Sequence, residues 1–153
     1  LVKKILKKKK FNYLWLRPSL TYGHNDNYDR YLGYIIKSIK LKKKIIISPG
    51  NQVRDYLYIE DLCYIIKKLI KNYKKKYNFI LNISSQNYIK LNQIPYIIKN
   101  TLKKEIEFKL LKSKSHELDL INSNKKLLNL FPNLRFTSFS KGLRKTLINE
   151  GIL

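Results

Sequence analysis

The sequence predicts an α/β fold, and three observations carry that prediction. Short apolar runs, such as Ile45-Ile46-Ile47 and Phe79-Ile80-Leu81-Asn82-Ile83, have strand length. Longer stretches between them place apolar residues at helical spacing, as in Tyr31/Leu32, Ile35/Ile36 and Ile39. Turn-forming residues, among them Ser48-Pro49-Gly50-Asn51, separate the two kinds of segment.

Taken in order, residues 1–10 read as the tail of an amphipathic helix with a lysine-rich outer face, broken at Asn12. Residues 13–17 form an apolar strand, expected to be buried on both faces and parallel. Pro18 ends it, and residues 18–29, with Gly23, Asn25, Asp26 and Asn27, read as a loop. A helix over 31–40 and a strand over 45–47 come next. Residues 54–59 are extended, and Glu60 or Asp61 opens a helix to about Lys71 with Leu62, Ile65/Ile66, Leu69 and Ile70 facing inward. Lys74–Lys76 link this helix to a strand over 79–83. Residues 91–102 form a helix that tolerates Pro95 only in its first turn. Residues 105–110 alternate as an edge strand does, and 111–120 are a polar loop. Ser123 opens a short helix to Leu130, and Ser138 or Ser140 opens a last helix to about Asn149, before Gly151.

The chain has 153 residues, the length of one domain, and 44% of them are hydrophobic, too many for a disordered segment. No apolar run reaches the ~18 residues of a membrane span. The single cysteine, Cys63, excludes an intrachain disulfide and points to a reducing, cytoplasmic location; it reads as small core packing. The formal charge is +23, from 33 Lys+Arg against 10 Asp+Glu. A basic nucleic-acid-binding domain is one meaning of such a charge. Only Arg17, Arg30, Arg54, Arg135 and Arg144 are arginines, however, and lysine rises together with Ile, Asn and Tyr while alanine is absent. That pattern favours compositional bias over base recognition, which draws on arginine. The absence of methionine, even at position 1, suggests a piece of a longer protein.

No catalytic set is visible. His24 and His116 lack partners at metal-ligand spacing, although His24-Asn25-Asp26 could form half a metal site. No phosphate-binding glycine loop occurs, since Gly33 and Gly50 are isolated. Arg54, after a Pro-Gly turn, either salt-bridges to Asp55 or Asp61 or clamps an anion through its planar guanidinium. Arg17 stands at a strand's C-terminal end, where α/β sheets place ligand loops. Tyr22 and Gly23 in the adjoining loop shape such a pocket or pack against it.

Three segments bring a family into view. They are Leu16-Arg17-Pro18-Ser19-Leu20-Thr21-Tyr22-Gly23, then Arg54-Asp55-Tyr56-Leu57-Tyr58-Ile59-Glu60-Asp61 after Pro49-Gly50-Asn51, then Asn78-Phe79-Ile80-Leu81-Asn82-Ile83. Together with Ser123-Asn124-Lys125 and Phe139-Ser140-Lys141-Gly142-Leu143, they resemble, in order and over nearly the whole chain, the NAD(P)-dependent nucleotide-sugar epimerase/dehydratases of the extended short-chain dehydrogenase/reductase family. The match looks like the family's C-terminal half only. The resemblance implies the C-terminal portion of a Rossmann-like, NAD(P)-binding fold plus the small substrate-binding subdomain, with the N-terminal dinucleotide-binding part absent.

The function implied by the resemblance is that of the substrate-binding half of an epimerase, dehydratase or 4-ketoreductase that transfers hydride through a 4-keto sugar. Arg54, Arg17, Tyr22 and Asp61 would contact the substrate, with Asp61 holding the geometry behind Arg54, and Pro18 and Tyr22 would contact the cofactor. That cofactor would be NAD or NADP, the substrate a nucleoside-diphosphate sugar, and the full-length protein a homodimer without membrane attachment. By the resemblance, the family's Gly-rich loop and catalytic Tyr-x-x-x-Lys pair would lie upstream of Leu1, so no catalytic residue is assigned. Leu20 and His24 stand where the family often has Asn and Pro, which weakens an epimerase-type assignment. The alternatives are a non-catalytic or decayed fragment of the family and the basic nucleic-acid-binding domain.

Overall fold

The computed structural model describes residues 2–8, 12–72, 78–111 and 118–153. Among these, the order is α1 (Val2–Lys8), β1 (Tyr13–Pro18), β2 (Leu20–Tyr22), α2 (Tyr31–Lys40), β3 (Ile45–Ile47), β4 (Val53–Tyr58), α3 (Ile59–Lys71), β5 (Asn78–Ile83), β6 (Tyr88–Lys90), a 3-10 turn (Leu91–Gln93), α4 (Ile94–Leu102), β7 (Phe108–Leu110), α5 (Lys125–Leu130) and α6 (Phe139–Asn149). The lysine link over 74–76, residues 9–11 and His116 lie outside the described residues.

Most strand pairs are parallel, joined by helical crossovers, which is a Rossmann-like topology. β1 pairs with β5 in parallel, from Tyr13↔Asn78 to Pro18↔Ile83. β2 pairs with β4 in parallel, Leu20↔Tyr56 to Tyr22↔Tyr58, and β6 adds to β4 antiparallel. β3 and β7 form a third parallel pair.

Strand β4 organises the interior. Its side chains alternate between faces, as the period of two requires. Tyr56 and Tyr58 enter one buried cluster with Tyr22, Ile35, Ile94, Phe139 and Leu143. Leu57, between them, enters a second cluster with Ile65, Leu69, Leu81, Ile83 and Leu127. One strand thus walls both cores. This corrects the expected division into a Rossmann-like portion and a separate small subdomain: both halves of the chain contribute to each cluster, so the described residues fold as one α/β body.

Several local expectations are also corrected. β1 is not buried on both faces, because Leu14 and Leu16 pack on the second cluster while Trp15 is 42% exposed and Arg17 is exposed beside it. The stretch expected to be loop after Pro18 contains β2, whose three residues are too few to show a period. Residues 91–93, expected to be helical, form a tighter 3-10 turn leading into α4. On α3, Ile65 and Leu69 point inward, which turns Ile70 (71% exposed) and Cys63 outward. Cys63 is therefore a surface thiol, not core packing.

Candidate functional site

The β2–β4 pair, the loop after β2 and the segment around Leu120 enclose a cleft with two lobes. The outer lobe, about 510 Å³, is lined by Pro18, Ser19, Arg30, Arg54, Asp55 and residues 119–122. The inner lobe, about 300 Å³, is lined by Tyr22, Asp26, Tyr31, Ser48, Gln52, Tyr56 and Leu91. Leu20, Thr21, Arg30 and Arg54 border both lobes, so two guanidiniums stand where the lobes meet.

Each arginine is held from behind. Arg54 is on β4, on the same face as Tyr56, and its Nη1 donates to the Leu118 carbonyl at 2.7 Å and to its own strand at Val53 O, 3.0 Å. The chain beyond Leu118 is pinned to β4 as well: Val53 N–H donates to Asp119 at 2.6 Å and Leu120 N–H to Val53 O at 3.0 Å. Arg30 caps the start of α2 in an extended conformation, and its Nη1 meets Asp26 Oδ1 at 3.1 Å. Sequence reasoning missed Arg30 as a site residue, because a residue between a polar loop and a helix carries no signal of where its side chain goes.

Asp55, the neighbour of Arg54, faces the other way. It is buried, and accepts from Ser19 Oγ at 2.6 Å and Ser85 Oγ at 3.0 Å. The single Ser85 proton is shared between Asp55 and Tyr56 O, which lies 2.6 Å away, and Ser84 donates to Asn122 O at 2.9 Å. A buried carboxylate with several donors is rigid, and leaving it unpaired is costly. The Ser84-Ser85 turn thereby fixes β4 and the outer lobe's rim in one network.

The wall of the inner lobe contains an orphan. The Tyr56 hydroxyl is buried and has no hydrogen-bond partner among the described residues. A buried, unpaired hydroxyl costs about 1–3 kcal/mol. Burial, aided by Tyr31, pushes its phenol up, against the lowering influence of Arg54 and Arg30. Burial pushes Tyr31 up to about 12. Both phenols therefore remain protonated donors at neutral pH, and Tyr31 donates to Leu91 O at 3.1 Å.

The structure distributes the other expected site residues. Pro18 borders the outer lobe. Tyr22 borders the inner lobe, but its hydroxyl donates to Phe139 O at 3.2 Å inside the first core, where burial, then Asp61 and Tyr58, raise its pKa. Asp61 does not stand behind Arg54. Its two oxygens accept from Thr137 N at 2.7 Å and Thr137 Oγ1 at 2.8 Å, which ties α3 to the approach to α6. Arg17 lies on the exposed face of β1 and lines neither lobe. His24 Nδ1 lies 2.9 Å from Glu150, and among the described residues no three His, Cys, Asp or Glu side chains gather as a metal site.

The NAD dependent epimerase/dehydratase family model matches residues 1–84. The chain belongs to that family. Among curated relatives, it is similar to GDP-L-fucose synthase of Dictyostelium discoideum, 24% identical, with 84% of this chain and 43% of that protein covered. It is also similar to CDP-abequose synthase of Salmonella muenchen, 27% identical over 55% of this chain and 29% of that protein. Its fold is that of UDP-glucuronic acid 4-epimerase from Bacillus cereus, solved with UDP-glucuronic acid and NAD (TM-score 0.86, 21% identity, 98% of this chain and 49% of that one). The dTDP-glucose 4,6-dehydratase of Bacillus anthracis, solved with NAD, matches with a TM-score of 0.81 at 19% identity, over 97% of this chain and 47% of that one. The chain thus spans less than half the length of these relatives.

These matches correct the placement expected from the sequence. The family match falls on the first part of this chain, residues 1–84, and the solved structures align along almost all of it. The resemblance is not confined to a C-terminal half, and the role of a C-terminal substrate-binding half falls with that placement. No helix among the described residues is long and apolar enough to cross a membrane.

Proposed function

We propose that this chain serves an NAD(P)-dependent enzyme of nucleoside-diphosphate sugars, of the epimerising, dehydrating or ketoreducing kind, and that its cleft holds the substrate's diphosphate between Arg30 and Arg54. The observation that carries the reading is the convergence of two guanidiniums from separate elements on one cleft. Planar guanidiniums suit phosphate oxygens through paired, charge-assisted hydrogen bonds. Family membership, and the nucleotide sugars named with several relatives, support the substrate class.

When bound, NAD(P) supplies hydride transfer at a sugar carbon. Of the two residues expected to touch it, Pro18 offers an apolar wall at the cleft and the Tyr22 hydroxyl is already engaged with Phe139 O. Neither side chain offers a free donor to a pyrophosphate, the sequence has no Gly-rich loop, and its Tyr-x-x-x-Lys spacing, Tyr64 to Lys68, falls on α3 and lines neither lobe. The fit of these residues to a dinucleotide is poor, so no hydride or proton step is derived from them. Their part is to bind and orient: Arg54 and Arg30 fix the charged end of the substrate while the Asp55 network keeps β4 rigid behind it.

Calorimetric titration with UDP, and with uridine as control, tests the reading. UDP is expected to bind at least tenfold more tightly than uridine, with the preference lost in Arg54→Ala. Equal affinities for UDP and uridine would overturn the diphosphate assignment.

A further inference from the structure

Glu150 is a carboxylate in an expensive place. It is the C-terminal cap of α6, and its side chain is only 2% exposed. The negative end of a helix repels an anion, and burial strips the anion of water. Three groups from two other parts of the fold compensate. Asn25 N–H donates to Oε1 at 2.9 Å, His24 Nδ1 lies 2.9 Å from the same oxygen, and Lys40 Nζ, from the last turn of α2, meets Oε2 at 3.2 Å. A helix end needs no such arrangement: α6 is already closed by Gly151 N–H to Ile148 O and Ile152 N–H to Leu147 O.

What the carboxylate grips is the loop that aims Arg30. Asn25 is held in the left-handed region, at φ 58°, a conformation that costs a non-glycine residue energy unless its surroundings impose it. The next residue, Asp26, receives the Arg30 guanidinium. On its far side the loop lies directly on α2: a Cβ on Gly33 would come within 2.3 Å of Asn27 O, and Arg30 N–H donates to that same carbonyl at 3.1 Å. The loop is clamped between the end of α6 and the start of α2.

We infer that Glu150 is a positioning residue for Arg30: by fixing the Asn25 backbone it sets Asp26, and through Asp26 the direction in which Arg30 enters the cleft. This rests on the diphosphate reading only for its consequence in ligand binding. The arrangement itself is independent of any ligand.

Two measurements on Glu150→Ala, which removes the acceptor, and on Glu150→Asp, which is one methylene too short to reach Asn25 and Lys40 together, decide the matter. The first needs no ligand. Each arginine's rate of modification by phenylglyoxal is monitored by peptide mass mapping on protein shown to be folded by circular dichroism. Arg30 is expected to react severalfold faster in the variants, with Arg54 and Arg135 unchanged. An unchanged Arg30 rate in either folded variant overturns the inference. The second is a double-mutant cycle on UDP affinity. Glu150→Ala is expected to weaken UDP severalfold while adding nothing to Arg30→Ala. Multiplicative losses would show that Glu150 acts without Arg30 and would also overturn it. If wild-type protein binds no UDP, the diphosphate reading fails, and the modification rates still decide the role of Glu150.

Discussion

Replacing Gly142 by alanine should destabilise this protein, and removing the Tyr22 hydroxyl should relieve most of the damage. Gly142 lies inside α6, where alanine is ordinarily better than glycine by about 0.5–1 kcal/mol. A Cβ there would fall 2.2 Å from Tyr22 Oη, 3.1 Å from its Cζ and 3.1 Å from Tyr58 Cδ2. Ordinary contact needs about 3.5 Å or more, so the phenol oxygen must retreat by roughly 1 Å. It has nowhere to go. Tyr22 packs against Tyr56, Tyr58 and Phe139 at centroid distances of 5.9, 5.6 and 5.2 Å, and its hydroxyl is bonded to Phe139 O. Overpacking costs about 1–3 kcal/mol, and a strained or broken hydrogen bond about 0.5–1.5 kcal/mol more. Less the gain in helix propensity, Gly142→Ala should lose about 1–3 kcal/mol. Tyr22→Phe alone should lose about 1 kcal/mol through the same hydrogen bond. In the Tyr22→Phe background the 2.2 Å clash is gone and only the two 3.1 Å contacts remain, so Gly142→Ala should lose well under the wild-type amount. Urea unfolding of the four proteins reads this directly. A neutral Gly142→Ala in wild type, or losses that simply add, would refute the packing account.

The site itself sets further outcomes. Tyr56→Phe should leave stability in urea unfolding unchanged or slightly raised, since it deletes a buried unpaired hydroxyl. Asp61→Ala should cost about 2–3 kcal/mol by stripping Thr137 of both its bonds, with UDP affinity retained by the folded protein at low temperature. Burial raises the Glu150 carboxyl, but the Asn25 amide, Lys40 and His24 outweigh it and hold it below the ordinary glutamate range. Because its folded value lies below its unfolded one, its stabilisation is complete above about pH 4.5 and is lost as pH falls through the folded value. The stability gap between wild type and Glu150→Gln, measured by thermal melts, should therefore narrow as the pH is lowered from about 6 to about 3.

The strands that carry the fold were legible where apolar runs were long enough to have a pattern, as in β1, β3 and β5, and the helices where periodicity was sustained, as in α2 and α3. The Arg54 segment drew attention because charge is unusual in an extended apolar run. β2 and β6 escaped because three residues cannot display a period. Exposure was misjudged at Trp15 and Cys63 because hydrophobicity says that a residue can be buried, and only the phase of its strand or helix says whether it is. Arg30, Glu150 and Tyr56 were invisible as partners for a different reason. The contact between Asn25 and Glu150 spans 125 residues, and no local pattern encodes a pairing of that range. The chain's placement within its family went astray because ordered motifs tell which family they belong to more reliably than how much of it is present.

The outward turn of Cys63 and Trp15 makes the protein its own spectroscopic gauge. The chain contains a single tryptophan and a single cysteine, the first on β1 and the second on α3, and both elements line the second core. An acceptor dye placed on the thiol would draw energy from the indole only while that core holds together. The tyrosine-rich first core contains neither residue, and its near-ultraviolet dichroism would report on it separately. Heating one labelled sample would then reveal whether the two sides of β4 melt in a single step or one after the other.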